Sequence, residues 1–108
     1  MADGMEGIDV VAVTAWFADR IENLVTPLNF ELLAGGHSNL TYLVTDGAGR
    51  SYVLRRPPLG HVLQSAHDMG REHKIISALQ GSSVPVATTV DLCTDHSVND
   101  APFYVMDY

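Results

Sequence analysis

Gly35-Gly36-His37-Ser38-Asn39 sits between two strand-like runs, Arg55 closes the next such run, and Glu72 follows on an amphipathic segment. Each of these residue types has a use in holding an anion. A turn without side chains lets the backbone amides of His37, Ser38 and Asn39 approach phosphate oxygens, and the Ser38 hydroxyl adds a donor. A guanidinium such as that of Arg55 suits bidentate contact with a carboxylate or a phosphate. A carboxylate that meets the guanidinium satisfies both groups. The structural alternative stands beside this reading. The glycines then answer only a backbone need for positive φ, and Glu72 forms an ordinary ion pair or turns into solvent.

Two periodicities decide whether Arg55 and Glu72 can meet. Met69, Ile76 and Leu79 form the inward stripe of a helix, and Glu72 falls at the three-and-four spacing of that stripe. A carboxylate there is expensive to bury unless a cation meets it. Alternation along Ser51–Arg55 puts Val53 and Arg55 on one face and Tyr52 and Leu54 on the other. A helix covering the first face brings Glu72 to Arg55.

The remaining elements follow from the same patterns. Asp9 caps a first helix stapled by Ile8 and Val13, with Val10, Val13, Phe17, Ile21 and Leu24 as its apolar face; Thr26-Pro27 ends it. Phe30–Leu33, Thr41–Thr45 and Ser51–Arg55 read as strands, the last two joined by the hairpin turn Asp46-Gly47-Ala48-Gly49. Pro57-Pro58-Leu59-Gly60 opens a loop. Ser65 and Asp68 approximate a capping box for a second helix that Gly81 ends. Thr88–Cys93 and Pro102–Met106 are two more strands, joined by a polar turn around Asn99-Asp100. Residues 1–7 read as a flexible leader. Helix, three strands, helix, two strands predicts an α+β domain, an antiparallel sheet with a helix packed on one face.

Composition narrows the class. The 108 residues make one small domain, and a formal charge of −7 argues against a nucleic-acid surface. The single cysteine, Cys93, excludes an internal disulfide and nothing beside it in sequence would lower its pKa. No apolar run approaches 18 residues, so no membrane span is expected and the expected location is cytoplasmic. His37, His61, His67, His73 and His96 show no metal-ligand spacing, so no metal site is expected. Trp16 and Phe17 read as packing residues, and Arg56, Arg71 and Lys74 as solvated charges.

In chain order, the glycine turn, the strand-end cation, the helix glutamate and the final apolar strand follow the plan of a kinase-like nucleotide lobe. The chain resembles the aminoglycoside phosphotransferase family of the protein-kinase-like superfamily, closest to the branch related to phosphotransferase domains fused to acyl-CoA dehydrogenases. Gly35-Gly36-His37-Ser38-Asn39-Leu40-Thr41-Tyr42-Leu43, Tyr52-Val53-Leu54-Arg55-Arg56-Pro57-Pro58, Ser65-Ala66-His67, Arg71-Glu72-His73 and Pro102-Phe103-Tyr104-Val105-Met106-Asp107-Tyr108 carry the likeness. It spans residues 10 to 108 and covers only the family's N-terminal lobe. It implies a five-stranded sheet with an αC-like helix and an extra N-terminal helix.

The resemblance also implies ligands and roles. In the full-length parent ATP or GTP with Mg2+ would bind, and the γ-phosphate would pass to the hydroxyl of a small molecule held by the second lobe; these residues alone, with half of the adenine clamp, would retain no nucleotide tightly. Gly35, Gly36 and His37 would belong to the phosphate loop, with Ser38 and Asn39 above the triphosphate. Val53 would pack on adenine, and Arg55 would replace the lysine that contacts the α- and β-phosphates, oriented by Glu72. Met106 would stand at the gatekeeper position and the Asp107 carbonyl would accept from the adenine amino group. Arginine at position 55 departs from the better-known antibiotic kinases. The family's catalytic loop and metal-binding residues belong to the second lobe, so these residues are expected to include no catalytic group and to be inactive alone. Two alternatives stand: a non-catalytic nucleotide- or protein-binding module that self-associates or exchanges strands through an uncovered face, and an unrelated α+β domain.

Overall fold

The computed structural model describes residues 6–35, 39–57, 62–80, 82, 88–99 and 101–108, apart from the side chains of residues 62–68 and 96. Asp9 starts the first helix, α1 (Val10–Arg20), by accepting the Ala12 N–H at 3.2 Å. The expected run to Leu24 does not form. Ile21 is already extended (φ −117°, ψ 115°), and Asn23 adopts a φ of 61°, a left-handed conformation that asparagine tolerates better than most residues. Ile21 and Leu24 still pack against the core. Their spacing encoded burial, and burial is as available to a turn as to a helix.

Five strands follow: β1 (Asn29–Ala34), β2 (Leu40–Thr45), β3 (Ser51–Arg56), β4 (Thr89–Cys93) and β5 (Phe103–Asp107). They form one sheet in the order β1-β2-β3-β5-β4 with every neighbouring pair antiparallel. The β2–β3 hairpin is set by its turn. The Asp46 carboxylate accepts the N–H groups of Ala48 and Arg50 at 3.0 and 2.9 Å and Arg50 Nε at 3.0 Å, while Gly49 takes a φ of 90°. Loss of hydration would raise the Asp46 carboxyl, but the bonds from Arg50 and Ala48 hold it below the usual carboxylate range.

Alternation gives the sheet two different faces. Tyr42, Val44, Tyr52, Leu54, Phe103 and Val105 point to α1, where Val13, Trp16 and Phe17 complete the main core. Trp16 meets Phe103 edge to face at 4.9 Å, and Phe17 meets Tyr52 at 5.9 Å. The second long helix, α2 (Val62–Ala78), packs against β4 and β5 with Met69 fully buried. It begins three residues ahead of the expected Ser65, because serine is tolerated within a first helical turn as well as before it. Gly81, its expected terminator, lies outside the described residues.

Three further expectations are corrected. In place of a plain polar turn before β5 there is one helical turn, α3 (His96–Asn99). Its buried Asn99 accepts from Asp9 N at 2.6 Å and donates to Gly7 O at 3.0 Å. Glu6 and Gly7 are therefore held, not loose: Tyr42 OH donates to Glu6 O at 2.6 Å and Arg56 Nη1 to Gly7 O at 2.9 Å. Residues 1–5 lie outside the described residues. Arg56 is buried rather than solvated, its Nε also donating to Pro57 O at 2.8 Å. A guanidinium can be buried where carbonyls receive its N–H groups.

Candidate functional site

Strand register brings three polar side chains into line on the face opposite α1. Thr41 of β2 stands across from Arg55 of β3, and Tyr104 of β5 stands across from Arg55 on its other side. Glu72 reaches them from α2. Arg55 Nε donates to Glu72 Oε1 at 2.9 Å and Nη2 to Oε2 at 3.3 Å, while Nη1 donates to Thr41 Oγ1 at 2.8 Å. Two neutral donors join them: Tyr104 OH to Glu72 Oε1 at 2.8 Å, and Asn39 Nδ2 to Oε2 at 2.7 Å. The Arg55–Glu72 pair forecast from two periodicities is present, in its bidentate form.

The pair is only partly shielded, with side-chain exposures of 28% for Arg55 and 31% for Glu72. Burial would raise the Glu72 carboxyl, but hydrogen bonds from Arg55 and Tyr104 outweigh it and hold the group below its ordinary range. Burial and the bond to Glu72 both push the Tyr104 hydroxyl up, so it stays a donor. The bond to Glu72 likewise raises Arg55, against its own desolvation. A carboxyl depressed in the folded state stabilises the fold at pH values above its unfolded pKa. That contribution disappears as pH falls through the folded value. Glu72→Gln should therefore be less stable than the parent by about 1 kcal/mol at pH 7, after allowance for solvent screening. Urea titrations should show that difference shrinking as the solution is acidified below the ordinary carboxylate range.

The other expected site residues are placed as follows. Val53 and Met106 are cross-strand neighbours on the Arg55 face. Met106 lines an open hollow of about 340 Å³ with Arg55, Glu72, Ile75, Ile76 and Tyr104. Asp107 ends β5 opposite Tyr52, with its N–H bonded to Thr88 O at 2.8 Å. Gly35 is not in a left-handed conformation; a Cβ there would come within 2.7 Å of Leu40 Cδ2, so the glycine serves close packing. Gly36, His37 and Ser38 lie outside the described residues. Asn39 turns its amide onto Glu72. Thr41 and Tyr104 were not foreseen, although strand alternation combined with the register would have put both on the Arg55 face.

A larger hollow, about 420 Å³, lies between α1 and the β4–α3 corner and includes Trp16, Arg20, Cys93 and Asp95. Its chemistry is already engaged. Arg20 pairs with Asp91 at 2.9 Å and stacks 4.2 Å over Trp16, and burial pushes the Cys93 thiol up. No cluster of metal-ligating side chains occurs among the described residues, and no described helix is long and apolar enough to cross a membrane.

Comparison with known proteins points the same way as this geometry. Residues 29–108 match the phosphotransferase enzyme family. The chain is 48% identical over 73 residues to acyl-CoA dehydrogenase family member 10 of Mus musculus, a match covering 68% of this chain and 7% of that protein. It is 39% identical over 104 residues to a probable acyl-CoA dehydrogenase of Arabidopsis thaliana, covering 90% of this chain and 13% of that one. These curated relatives are thus many times longer than the matched stretch. A solved structure from Ralstonia eutropha JMP134, provisionally assigned as an aminoglycoside phosphotransferase, superposes with a TM-score of 0.75 at 33% identity. That match covers 93% of this chain and 27% of the other, and the five-stranded α+β architecture is shared.

Proposed function

The chain belongs to the phosphotransferase enzyme family, and from that premise we propose that it is the nucleotide-holding lobe of a small-molecule kinase. The reaction is transfer of the γ-phosphate of ATP or GTP to a substrate hydroxyl, with magnesium. One observation carries this reading. Arg55 commits three N–H groups to Glu72 and Thr41, and a guanidinium has five. The fork is thereby held in a fixed plane beside the start of β2, next to the Tyr104 hydroxyl. Phosphoryl transfer asks the protein mainly for positioned charge, which this arrangement supplies. A lysine carries all its donors on one nitrogen and could not span Thr41 and both Glu72 oxygens while facing an anion.

In this reading Gly35, Gly36, His37, Ser38 and Asn39 form or flank the phosphate loop. Val53 and Met106 give the purine an apolar platform, and the Asp107 carbonyl accepts from its amino group. Magnesium arrives with the nucleotide. The base and metal-binding groups of the transfer step come from the second lobe of the family architecture, so these 108 residues bind without turnover. Calorimetric titration with Mg-ATP, Mg-ADP and AMP tests the phosphate part. The polyphosphates should bind at least about tenfold more tightly than AMP, because charge-assisted bonds to phosphate supply the gain. AMP binding as tightly as ATP, or no binding by any of the three at millimolar concentration, would remove the reading.

A further inference from the structure

Glu72 receives more donors than an ion pair requires. Oε1 accepts from Arg55 Nε and Tyr104 OH, and Oε2 accepts from Arg55 Nη2 and Asn39 Nδ2. The donors arrive from β3, from β5 and from the residue just before β2, while the acceptor stands on α2. Rotation of a carboxylate about its last torsion is soft. An arginine alone leaves the outer lone pairs of both oxygens to water, and the pair can then tilt. Tyr104 and Asn39 occupy one oxygen each, on opposite sides of the guanidinium contact. Such a network is worth most when its members are satisfied, and all four lone-pair positions named here on Glu72 receive a donor.

We propose that Asn39 and Tyr104 are positioning residues that lock the Glu72 carboxylate, and through it the plane of Arg55, with Asn39 also tying the start of β2 to α2. The consequence for ligand binding rests on the phosphate reading above; the lock itself does not. Asn39 links the backbone entering β2 to the helix that aims the cation. The groups that face Glu72 are Arg55 from β3, Tyr104 from β5 and Asn39 ahead of β2. The His73 ring on α2 lies 5.9 Å from the Tyr104 ring.

The test follows the Glu72 carboxyl carbon by NMR through an acid titration, without nucleotide, in Asn39→Ala, Asn39→Asp and Tyr104→Phe. Tyr104→Phe keeps the buried ring, so it remains informative if an Asn39 variant fails to fold. Each variant should move the Glu72 titration upward from the parent value, with Asn39→Asp, which has the shape but no donor, at least as far as Asn39→Ala. Mg-ATP affinity should fall about fivefold in each, the scale of one ordinary net hydrogen bond, because the lost bond acts on the phosphate only through Glu72 and Arg55. A Glu72 titration that stays at the parent value in the folded variants overturns the lock, whatever the nucleotide does. If the parent binds no nucleotide, the phosphate reading fails and the carboxyl titration still decides the lock.

Discussion

Glu72→Ala is expected to lower the free energy of unfolding by about 2 kcal/mol and to weaken Mg-ATP binding about a hundredfold. The change strands Arg55 Nε and Nη2, the Asn39 amide and the Tyr104 hydroxyl together, since all four bonds end on the one carboxylate. Breaking a deeply buried pair would cost more than this. Here roughly a third of each side chain is open to water (28% and 31%), so the stranded guanidinium is partly rehydrated and the smaller figure applies. The binding loss has a separate origin. Arg55 keeps its charge but loses the partner that fixes its plane, and for an anion contact direction matters as much as charge. Urea unfolding and calorimetry measure the two effects independently. An unfolding free energy within about 0.5 kcal/mol of the parent, the range of an inert surface change, would show that the carboxylate holds nothing together.

The meeting of Arg55 and Glu72 was readable because each side chain obeys a local period: two residues along a strand, three to four along a helix. Tyr104 and Thr41 were harder, since their place beside Arg55 depends on which strands pair and in what register. Those are properties of the whole sheet, in which β3 lies between β2 and β5 although β4 intervenes in sequence. Arg56 misled for a related reason. An arginine beside a proline at a strand end reads as solvated until the carbonyls of Gly7 and Pro57 arrive to receive it. The end of α1 misled in the opposite way. Ile21 and Leu24 continue the apolar spacing, so the hydrophobic signal outlasted the hydrogen-bonded helix that Asn23 helps to terminate.

Phe17→Ala is expected to cost about 4 kcal/mol of stability, within the range for emptying a buried aromatic site. Phe17 is fully buried, 5.9 Å from both the Trp16 and the Tyr52 rings, and Trp16 in turn packs on Phe103. Such a loss is a large part of the roughly 5–15 kcal/mol that holds a domain of this size. The effect reaches beyond α1 itself. Residues 10–20 precede the stretch that matches the phosphotransferase family, 29–108, yet they pack on the rear face of the central strands β2, β3 and β5. Tyr52 and Leu54 point back to α1 from the same strand that points Val53 and Arg55 forward. A cavity behind β3 therefore loosens the strand from which the guanidinium projects. Val11→Ala, on the exposed side of the same helix, should change the unfolding free energy from urea titration by no more than about 0.5 kcal/mol. If Phe17→Ala cost as little as Val11→Ala, α1 would be an appendage, and the rigidity of the Arg55 strand would have to come from α2 and the sheet alone.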